Sequence, residues 1–494
     1  MKKWGRLLVV SNRLPVTLDT TEDGPRLRSS GGGLVTALMP ILRDCRGYWV
    51  GWTGGDSEDI SAEVFKNWEL SQNYSFVPVF LTAAEKASYY RGFSNEIIWP
   101  LFHSLPSRCQ FDSLYWDGYC KVNEKFADAV GSVAHTNDFI WVHDYHLMML
   151  AHALRRRALT HPLAYFHHIP FPSPDIFETL PWREEVLRAL LQFDLLGFQT
   201  VRDRRNFIGC LRRCLSAVRV CHIGETHLVS AEGQSVRLGT FPISIDYDEF
   251  EADSVQSETI VASEAIRKNL NDSKIILGVD RLDYTKGVPE RLTAFQKLIE
   301  LNPDLRGRVT MIQIVVPSRE DIPEYKQLQL RIEALVGKIN GKFGTPGWVP
   351  VHYLYRCVSR TELISFYRAA DVAMVTPLKD GMNLVAKEFC ASRADNRGVL
   401  LLSEFAGAAE ELRCGALLVN PHHTEKVAVL LEKALGMDEA EQEMRMAKMR
   451  SHIRTHDVFH WFESFNAEGA FGGFNVSVGT SSDWDIPTTA VAGD

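Results

Sequence analysis

Short apolar runs alternate with longer helical patterns along most of this chain, and this alternation restricts the fold more than any other feature. Clear examples of such runs are residues 7–10, 48–52, 274–279, 309–316 and 399–403. A strand followed by a helix, repeated many times, is typical of βα units around a parallel sheet. The sequence therefore predicts an α/β protein with ligand-binding groups at the carboxyl ends of its strands.

Two domains are expected, because 494 residues are more than one hydrophobic core usually holds. Near residues 241–250 the βα rhythm gives way to an acidic segment of low hydrophobicity, and a new series of strands begins at Lys274. We predict an amino-terminal Rossmann-like domain over 1–245 and a carboxyl-terminal one over 246–455. A last helix over 456–468 is expected to pack back between the domains, and 469–494 to form a flexible tail.

Composition excludes several classes of protein. A net charge of -8 and a pI near 6.1 argue against a general nucleic-acid binder. The apolar run 7–10 is too short for a signal sequence, and no stretch approaches the ~20 apolar residues of a membrane span. Nine scattered cysteines indicate reduced core thiols in a cytoplasmic protein. Cys210 and Cys214 could be read as a metal site, but without a CxxC pair buried cysteines are the preferred interpretation.

The segment 378–388 combines two acids with a glycine at a predicted helix start. Asp380 precedes Gly381, which lets the backbone approach a ligand closely, and Glu388 follows on the helix. The free N–H groups of the helix would face a phosphate, while the carboxylates could grip sugar hydroxyls. The pattern favours a sugar–phosphate ligand, with a solvated helix cap as the alternative.

Two further loops carry groups suited to phosphate. Arg281 and Lys286 follow a strand and precede a helix, so they could neutralise a diphosphate; an Arg–Asp surface pair is the alternative. The glycine run 31–33 could cradle phosphate with backbone N–H groups or could simply turn the chain.

Histidines and aromatic residues mark the first half of the chain. His143, Asp144 and His168 follow predicted strands, and their spacing does not resemble a zinc motif, so we interpret them as hydrogen-bonding partners of a substrate. Tyr90 and Trp99 could belong to the core or could stack on a sugar.

The segments VVSNRLP, SGGG, YWVGW, HDYHL, HHIPFP, GVDRLDYTKG and LKDGMNLVAKEF occur in this order between about residues 6 and 465. Together they resemble the trehalose-6-phosphate synthase family of retaining glycosyltransferases, family 20. The resemblance implies the GT-B fold, in which two Rossmann-like, doubly wound domains face a central cleft. The first domain would hold mainly the acceptor and the second mainly the nucleotide sugar.

The resemblance also implies a set of site residues. Those matching the glucose 6-phosphate site are Arg13, Tyr90, Trp99, Asp144 and Arg319, with Trp52 as a further lining residue. Those matching the UDP-glucose site are Gly32, Gly33, Arg281, Lys286, Val358, Asp380, Met382, Asn383, Leu384, Val385 and Glu388. The residues expected to act in catalysis are His168, Arg281, Lys286, Asp380 and Glu388.

The implied reaction is transfer of glucose, with retention, from UDP-glucose to glucose 6-phosphate, giving α,α-trehalose 6-phosphate and UDP. No metal and no cofactor beyond the co-substrate UDP-glucose is expected. A homodimer or homotetramer and a separate trehalose-6-phosphate phosphatase are implied, while UDP, GDP and ADP stay open as the donor nucleotide. The alternatives are a related synthase that uses glycerol 3-phosphate, and a non-catalytic sugar-phosphate sensor.

Overall fold

The computed structural model describes residues 5–21, 24–29, 35, 38–39, 42, 47–54, 74–319 and 322–468. The described residues form two compact units. One contains the chain up to residue 242 and again from Trp461, and the other contains Ile243–His460. The glycines at 31–33 and the predicted tail over 469–494 lie outside the described residues.

A nine-stranded sheet forms the centre of the first unit, in the order β5-β4-β1-β6-β7-β8-β11-β10-β9. A separate antiparallel pair consists of β2 and β3. The strands are β1 Leu7–Arg13, β2 Val16–Thr21, β3 Gly24–Ser29, β4 Tyr48–Trp52, β5 Ser75–Val79, β6 Phe139–His143, β7 Leu163–His167, β8 Leu195–Phe198, β9 Arg219–Ile223, β10 Thr226–Ala231 and β11 Gln234–Thr240.

The prediction of a parallel sheet is confirmed for the strands from β5 to β8, whereas β9, β10 and β11 are joined antiparallel. The sequence analysis missed this hairpin extension. Its signal is the pair Glu232-Gly233 between β10 and β11, whose φ angles are +50° and +81°. A two-residue hairpin turn of the favoured type needs positive φ at both positions, which glycine adopts readily.

Helices surround this sheet and complete the core of the first unit. The helix Val458–Glu468 brings Trp461 and Phe465 against Trp141 of β6, with ring centroids at 5.2 and 4.5 Å. The other helices are Ala83–Glu85, the π-helix Lys86–Ile98, Trp99–Phe102, Ser113–Val133, Leu150–Arg156, Pro174–Phe177, Arg183–Leu190 and Val201–Cys214, with 3-10 turns at Pro106–Arg108 and Tyr145–Leu147.

The second unit is built on a six-stranded parallel sheet in the order β14-β13-β12-β15-β16-β17. These strands are β12 Lys274–Arg281, β13 Val309–Val316, β14 Val351–Tyr355, β15 Val372–Val375, β16 Val399–Ser403 and β17 Leu417–Val419. The helices are Tyr247–Ser254, Ser257–Asn269, Val288–Leu301, Pro323–Phe343, Arg360–Ala369, Leu384–Ala391, Ala408–Leu412, Thr424–Leu435 and Glu439–Thr455, with 3-10 turns at Tyr284–Lys286 and Pro303–Leu305.

Each sheet has a point at which the strand order reverses. In the first unit that point lies between β1 and β6, and in the second it lies between β12 and β15. Crevices at the carboxyl ends of such strands are where open α/β sheets bind ligands. Arg13 ends β1 and Arg281 ends β12, so each unit places an arginine at its reversal point.

Two other sequence-based predictions concern the thiols and membranes. Cys210 and Cys390 are buried as expected, but Cys221, Cys357 and Cys414 are exposed, so the interpretation as core thiols is wrong for these three. Within the described chain, no helix combines the length and apolar character that crossing a membrane requires.

Candidate active site

Arg13 lies on aromatic rings at the reversal point of the first sheet. Its guanidinium carbon is 4.1 Å from the centroid of Trp52 and 5.7 Å from that of Tyr90. The two rings meet edge to face at 5.6 Å, and Lys86 Nζ is 5.5 Å from the Trp52 centroid. Aromatic faces attract cations, so the rings of Trp52 and Tyr90 orient the Arg13 guanidinium.

Gly54 explains why Arg13 can reach this position. A Cβ atom at Gly54 would lie 1.9 Å from a terminal guanidinium nitrogen of Arg13, and the φ of Gly54 is +87°. The backbone conformation favours glycine, and a side chain at this position would displace the end of the Arg13 side chain.

Asp144 lies across the reversal point, directly after β6. Its φ is +72°, a conformation that non-glycine residues seldom adopt and that often marks functional sites. The Asp144 amide donates to the Phe166 carbonyl at 2.8 Å, and the His168 amide donates to Asp144 Oδ1 at 3.3 Å. The second of these hydrogen bonds ties the predicted acceptor residue Asp144 to the predicted catalytic residue His168.

The imidazole of His168 is held between two side chains. Gln199 Nε2 is 3.4 Å from His168 Nδ1, and His143 Nδ1 is 3.1 Å from His168 Nε2. An amide nitrogen can only donate, so Nδ1 of His168 accepts, and its Nε2 carries the proton donated to His143. Burial, together with the nearby His167, lowers the pKa of His168 to about 3. His168 is therefore neutral and in one tautomer.

Trp99 is 4% exposed, and its carbonyl is 2.7 Å from His103 Nδ1. Its ring lies 4.2 Å from that of His103 and 5.8 Å from that of Tyr145. These contacts favour the core interpretation of Trp99 that the sequence left open. Tyr90 differs, because it is partly exposed and contacts Arg13 as well as His146, with ring centroids 6.0 Å apart.

At the reversal point of the second sheet, Lys286 and Asp380 form an ion pair. Lys286 Nζ is 2.7 Å from Asp380 Oδ2, and the side chains are 12% and 13% exposed. Asn383 Nδ2 donates to the same oxygen at 3.1 Å. The pair is sheltered from bulk water but is still reachable, so a charged ligand can exchange places with either partner.

Arg281 contrasts with Lys286. It is partly exposed, and within the described chain no hydrogen bond or ion pair engages its guanidinium. Its charge is therefore available to a ligand.

Arg319, predicted to bind the acceptor phosphate, lies in the second unit. Its guanidinium is 3.4 Å from Asp283 Oδ2 and also donates to the hydroxyl of Tyr325. Asp283 Oδ1 in turn accepts from the amide and the hydroxyl of Thr285, both at 2.8 Å. Arg319 is thus fixed by a buried carboxylate that the sequence analysis did not identify.

The helix Leu384–Ala391 begins beside the Lys286–Asp380 pair. Asn383 precedes it with a φ of +78°, and the Asn383 side chain makes no capping hydrogen bond. The first N–H groups of this helix are therefore not capped by Asn383, and helix starts of this kind can receive a phosphate. Met382 and Val358, predicted to contact the donor, are buried at 4% and 2% exposure.

Glu388 lies one turn further along the same helix. Its Oε2 accepts from the hydroxyl of Tyr367 at 2.8 Å. Burial raises the pKa of Glu388, while the Tyr367 hydrogen bond and the charge of Arg360 oppose this rise.

Close backbone packing supports the loop that carries Asp380. The amide of Asp380 donates to the Phe405 carbonyl, and the amide of Gly407 donates to the Asp380 carbonyl, both at 3.2 Å. A Cβ atom at Gly407 would lie 1.9 Å from the carbonyl oxygen of Gly381. Only glycine at 407 allows the two loops to lie this close.

A family model described as Glycosyltransferase family 20 matches residues 5–469. The chain belongs to glycosyltransferase family 20. The GT-B fold class that we expected is confirmed.

The relatives of this family 20 chain span nearly its whole length. The Candida albicans protein named α,α-trehalose-phosphate synthase [UDP-forming] is 41% identical, over 94% of this chain and 97% of its own. A Burkholderia xenovorans α,α-trehalose-phosphate synthase (UDP-forming), solved in complex with glucose-6-phosphate, is 34% identical, with a TM-score of 0.84 over 94% and 99% of the two chains. An E. coli structure with UDP-2-fluoro glucose bound is 37% identical, with a TM-score of 0.84 over 94% and 98%.

The structure brings most of the predicted residues of this family 20 chain to the two reversal points, while Gly32 and Gly33 lie outside the described residues. Sequence reasoning missed Lys86, Asp283 and Tyr367. Each of the three contacts a predicted site residue that is distant in the sequence, and no local sequence pattern indicates that contact. Among the described residues, no group of three or more metal-ligating side chains is arranged to hold a metal ion.

Proposed function

We propose that this family 20 glycosyltransferase is an α,α-trehalose-6-phosphate synthase. It would transfer glucose, with retention, from UDP-glucose to glucose 6-phosphate. The proposal is supported by relatives of that name along nearly the whole chain. The observation that carries it is the Lys286–Asp380 ion pair beside the uncapped start of the helix Leu384–Ala391.

In the second unit, each group of this arrangement has a role with the donor. Arg281 and Lys286 would neutralise the charge that builds on the departing UDP, and the N–H groups of Leu384 and Val385 would meet the diphosphate. Once Lys286 turns to phosphate, Asp380 becomes available to the hydroxyls of the transferred glucose. With two cations and a helix start serving the diphosphate, the leaving group is stabilised by this chain's own residues.

In the first unit, Arg13 would hold the phosphate of glucose 6-phosphate, with Tyr90 and Asp144 oriented toward the sugar. His168 would reach the donor glucose by exchanging its contact with His143 or Gln199 for one with the ligand. Its low pKa excludes general acid catalysis by an imidazolium near neutral pH. The assignments of Arg319 to the acceptor phosphate and of Glu388 to the ribose stay predictions, as do an oligomer and a separate phosphatase.

The test is release of UDP from UDP-glucose with glucose 6-phosphate, with glycerol 3-phosphate or without acceptor. We expect release only with glucose 6-phosphate, and a product whose mass and anomeric NMR signals identify an α,α-linked disaccharide phosphate. Lys286→Ala should abolish most of this turnover. Lys342→Ala, which removes an exposed lysine paired with Glu300 in the same unit, should leave it unchanged.

Turnover with glycerol 3-phosphate instead would identify a synthase with a different acceptor. Binding of UDP-glucose without turnover on either acceptor would contradict the enzyme proposal and favour a sugar-phosphate sensor.

A further inference from the structure

Glu388 has one direct donor among the described residues, and that donor is Tyr367. The phenolic oxygen is 2.8 Å from Glu388 Oε2. Arg360 also favours the charged carboxylate, but its own guanidinium is engaged by Glu249 at 3.1 Å and Asp253 at 2.7 Å. The orientation of the Glu388 carboxylate therefore depends chiefly on a single hydroxyl.

Tyr367 is held rigidly in place. It is fully buried on the helix Arg360–Ala369, and its carbonyl accepts from the guanidinium of Arg393 at 3.1 Å. Burial raises the pKa of Tyr367 well above its usual value, and the carboxylate of Glu388 raises it further. The phenol thus stays protonated and can only donate to Glu388.

This geometry leaves one face of the carboxylate for a ligand. The hydroxyl of Tyr367 donates to Oε2 of Glu388 and so fixes the orientation of the carboxyl group. The other lone pairs of the two carboxylate oxygens can then accept from a ligand. A carboxylate held in one rotamer can accept from two neighbouring hydroxyls, and the cis hydroxyls of a ribose offer such a pair.

We propose that Tyr367 is a positioning residue for the nucleotide, which holds the Glu388 carboxyl group oriented toward the ribose hydroxyls of UDP-glucose. The inference rests on the proposed function, because it assumes that Glu388 receives the ribose. It adds a residue that neither the sequence motifs nor the expected ligand contacts contain.

The direction of the pH effect follows from the hydrogen bond. Tyr367 stabilises the ionised form of Glu388, so removal of its hydroxyl raises the pKa of Glu388 further. If nucleotide binding needs the ionised carboxylate, then on lowering the pH the variant would lose binding at a higher pH than wild type. The acidic limb of UDP affinity should move to higher pH in Tyr367→Phe.

The experiment compares Tyr367→Phe with wild type and with Tyr353→Phe by calorimetric titration of UDP and 2′,3′-dideoxy-UDP. Tyr353 is the matched control, since its buried hydroxyl in the same unit has no hydrogen-bond partner among the described residues. Loss of a hydrogen bond to a charged group should weaken UDP binding roughly ten-fold in Tyr367→Phe. In steady state this loss should appear in the KM for UDP-glucose more than in kcat.

The dideoxy nucleotide separates positioning from a general structural effect. Wild type and Tyr353→Phe should bind UDP much more tightly than dideoxy-UDP, and this ratio should shrink in Tyr367→Phe. An unchanged ratio together with an unmoved acidic limb would overturn the inference while leaving the proposed function intact. Wild type that binds UDP but transfers no glucose would overturn the proposed function alone, because the binding ratios still test Tyr367.

Discussion

At the reversal point of the first sheet the cation Arg13 lies on aromatic rings, whereas at that of the second sheet the cation Lys286 is already paired with a carboxylate. A ligand phosphate at Arg13 would meet a guanidinium whose orientation is set by the rings of Trp52 and Tyr90. A ligand phosphate that binds Lys286 would instead have to replace Asp380 as the partner of the lysine. The carboxylate of Asp380 would then be available to another group of the ligand. The second arrangement couples two contacts, so removal of one partner also affects the other.

A second contrast lies within the second unit. Arg291 and Asp280 form a fully buried ion pair beneath the same loop, reinforced by Gln313 and Thr376. Lys286 and Asp380, above it, are partly exposed. The buried pair supports the fold because no ligand can reach it, and the exposed pair can serve a ligand.

The largest effect is expected from the double variant Arg281→Ala/Lys286→Ala. Each such donor contributes about 2.7–4 kcal/mol to stabilising charge in a transition state. Turnover should fall by several decades, measured as UDP release. Arg331→Ala, an exposed arginine of the same unit, is the control and should retain full turnover. If turnover of the double variant were unchanged, Arg281 and Lys286 at the second reversal point would have no part in catalysis.

The next largest effect is on stability, from Arg291→Leu. The change leaves the carboxylate of Asp280 buried and unpaired, which typically costs about 3–5 kcal/mol. Thermal unfolding should show a clear loss, and adding Asp280→Asn should recover part of it. If Arg291→Leu unfolded like wild type, the buried pair would not support the second unit as described.

Arg13→Lys should have a smaller effect that is confined to the acceptor. A lysine keeps the charge but loses the planar fork that grips phosphate, so the KM for glucose 6-phosphate should rise about ten-fold, or ~1.4 kcal/mol. The matched control is Arg6→Lys, since Arg6 also lies on an aromatic ring, at 4.5 Å from Tyr48. If the KM for UDP-glucose rose instead, the assignment of Arg13 to the acceptor site would be wrong.

The last expected effect is a pH dependence of stability in the first unit. Burial lowers the pKa of His167 to about 3, so the folded protein holds this imidazole neutral. The unfolded chain takes up the proton below about pH 6.5. The stabilisation is therefore present above that pH and is lost as the pH falls toward 3.

His167→Phe should flatten the decline of melting temperature between pH 6.5 and 4.5. The exposed His422→Gln should follow the wild-type curve. A steeper decline in His167→Phe would reverse the sign of this argument.

Much of the fold could be predicted because its strands are nearly continuous apolar runs. Val309–Val316 is buried along its whole length and reads as a strand without ambiguity. The antiparallel extension β9–β10–β11 was missed because its strands mix polar and apolar residues at the edge of the sheet. The residues at the strand ends were found because glycines and charges interrupt the apolar pattern there.

The supporting residues could not be predicted from the chain itself. Tyr367 is 21 positions from Glu388, and Asp283 is 36 positions from Arg319. A single tyrosine on the apolar face of an amphipathic helix is normally interpreted as a core residue, and Tyr367 is indeed buried in the core. Only the folded geometry shows that its hydroxyl reaches a carboxylate.

Gly407 is not among the residues predicted to bind a ligand, yet its lack of a side chain decides how closely two loops pack beside Asp380. In a library of random single substitutions selected for growth that depends on this enzyme, position 407 should tolerate no replacement, as strictly as Lys286. Directed evolution toward other sugar substrates would then have to keep Gly407 and introduce substitutions at other positions.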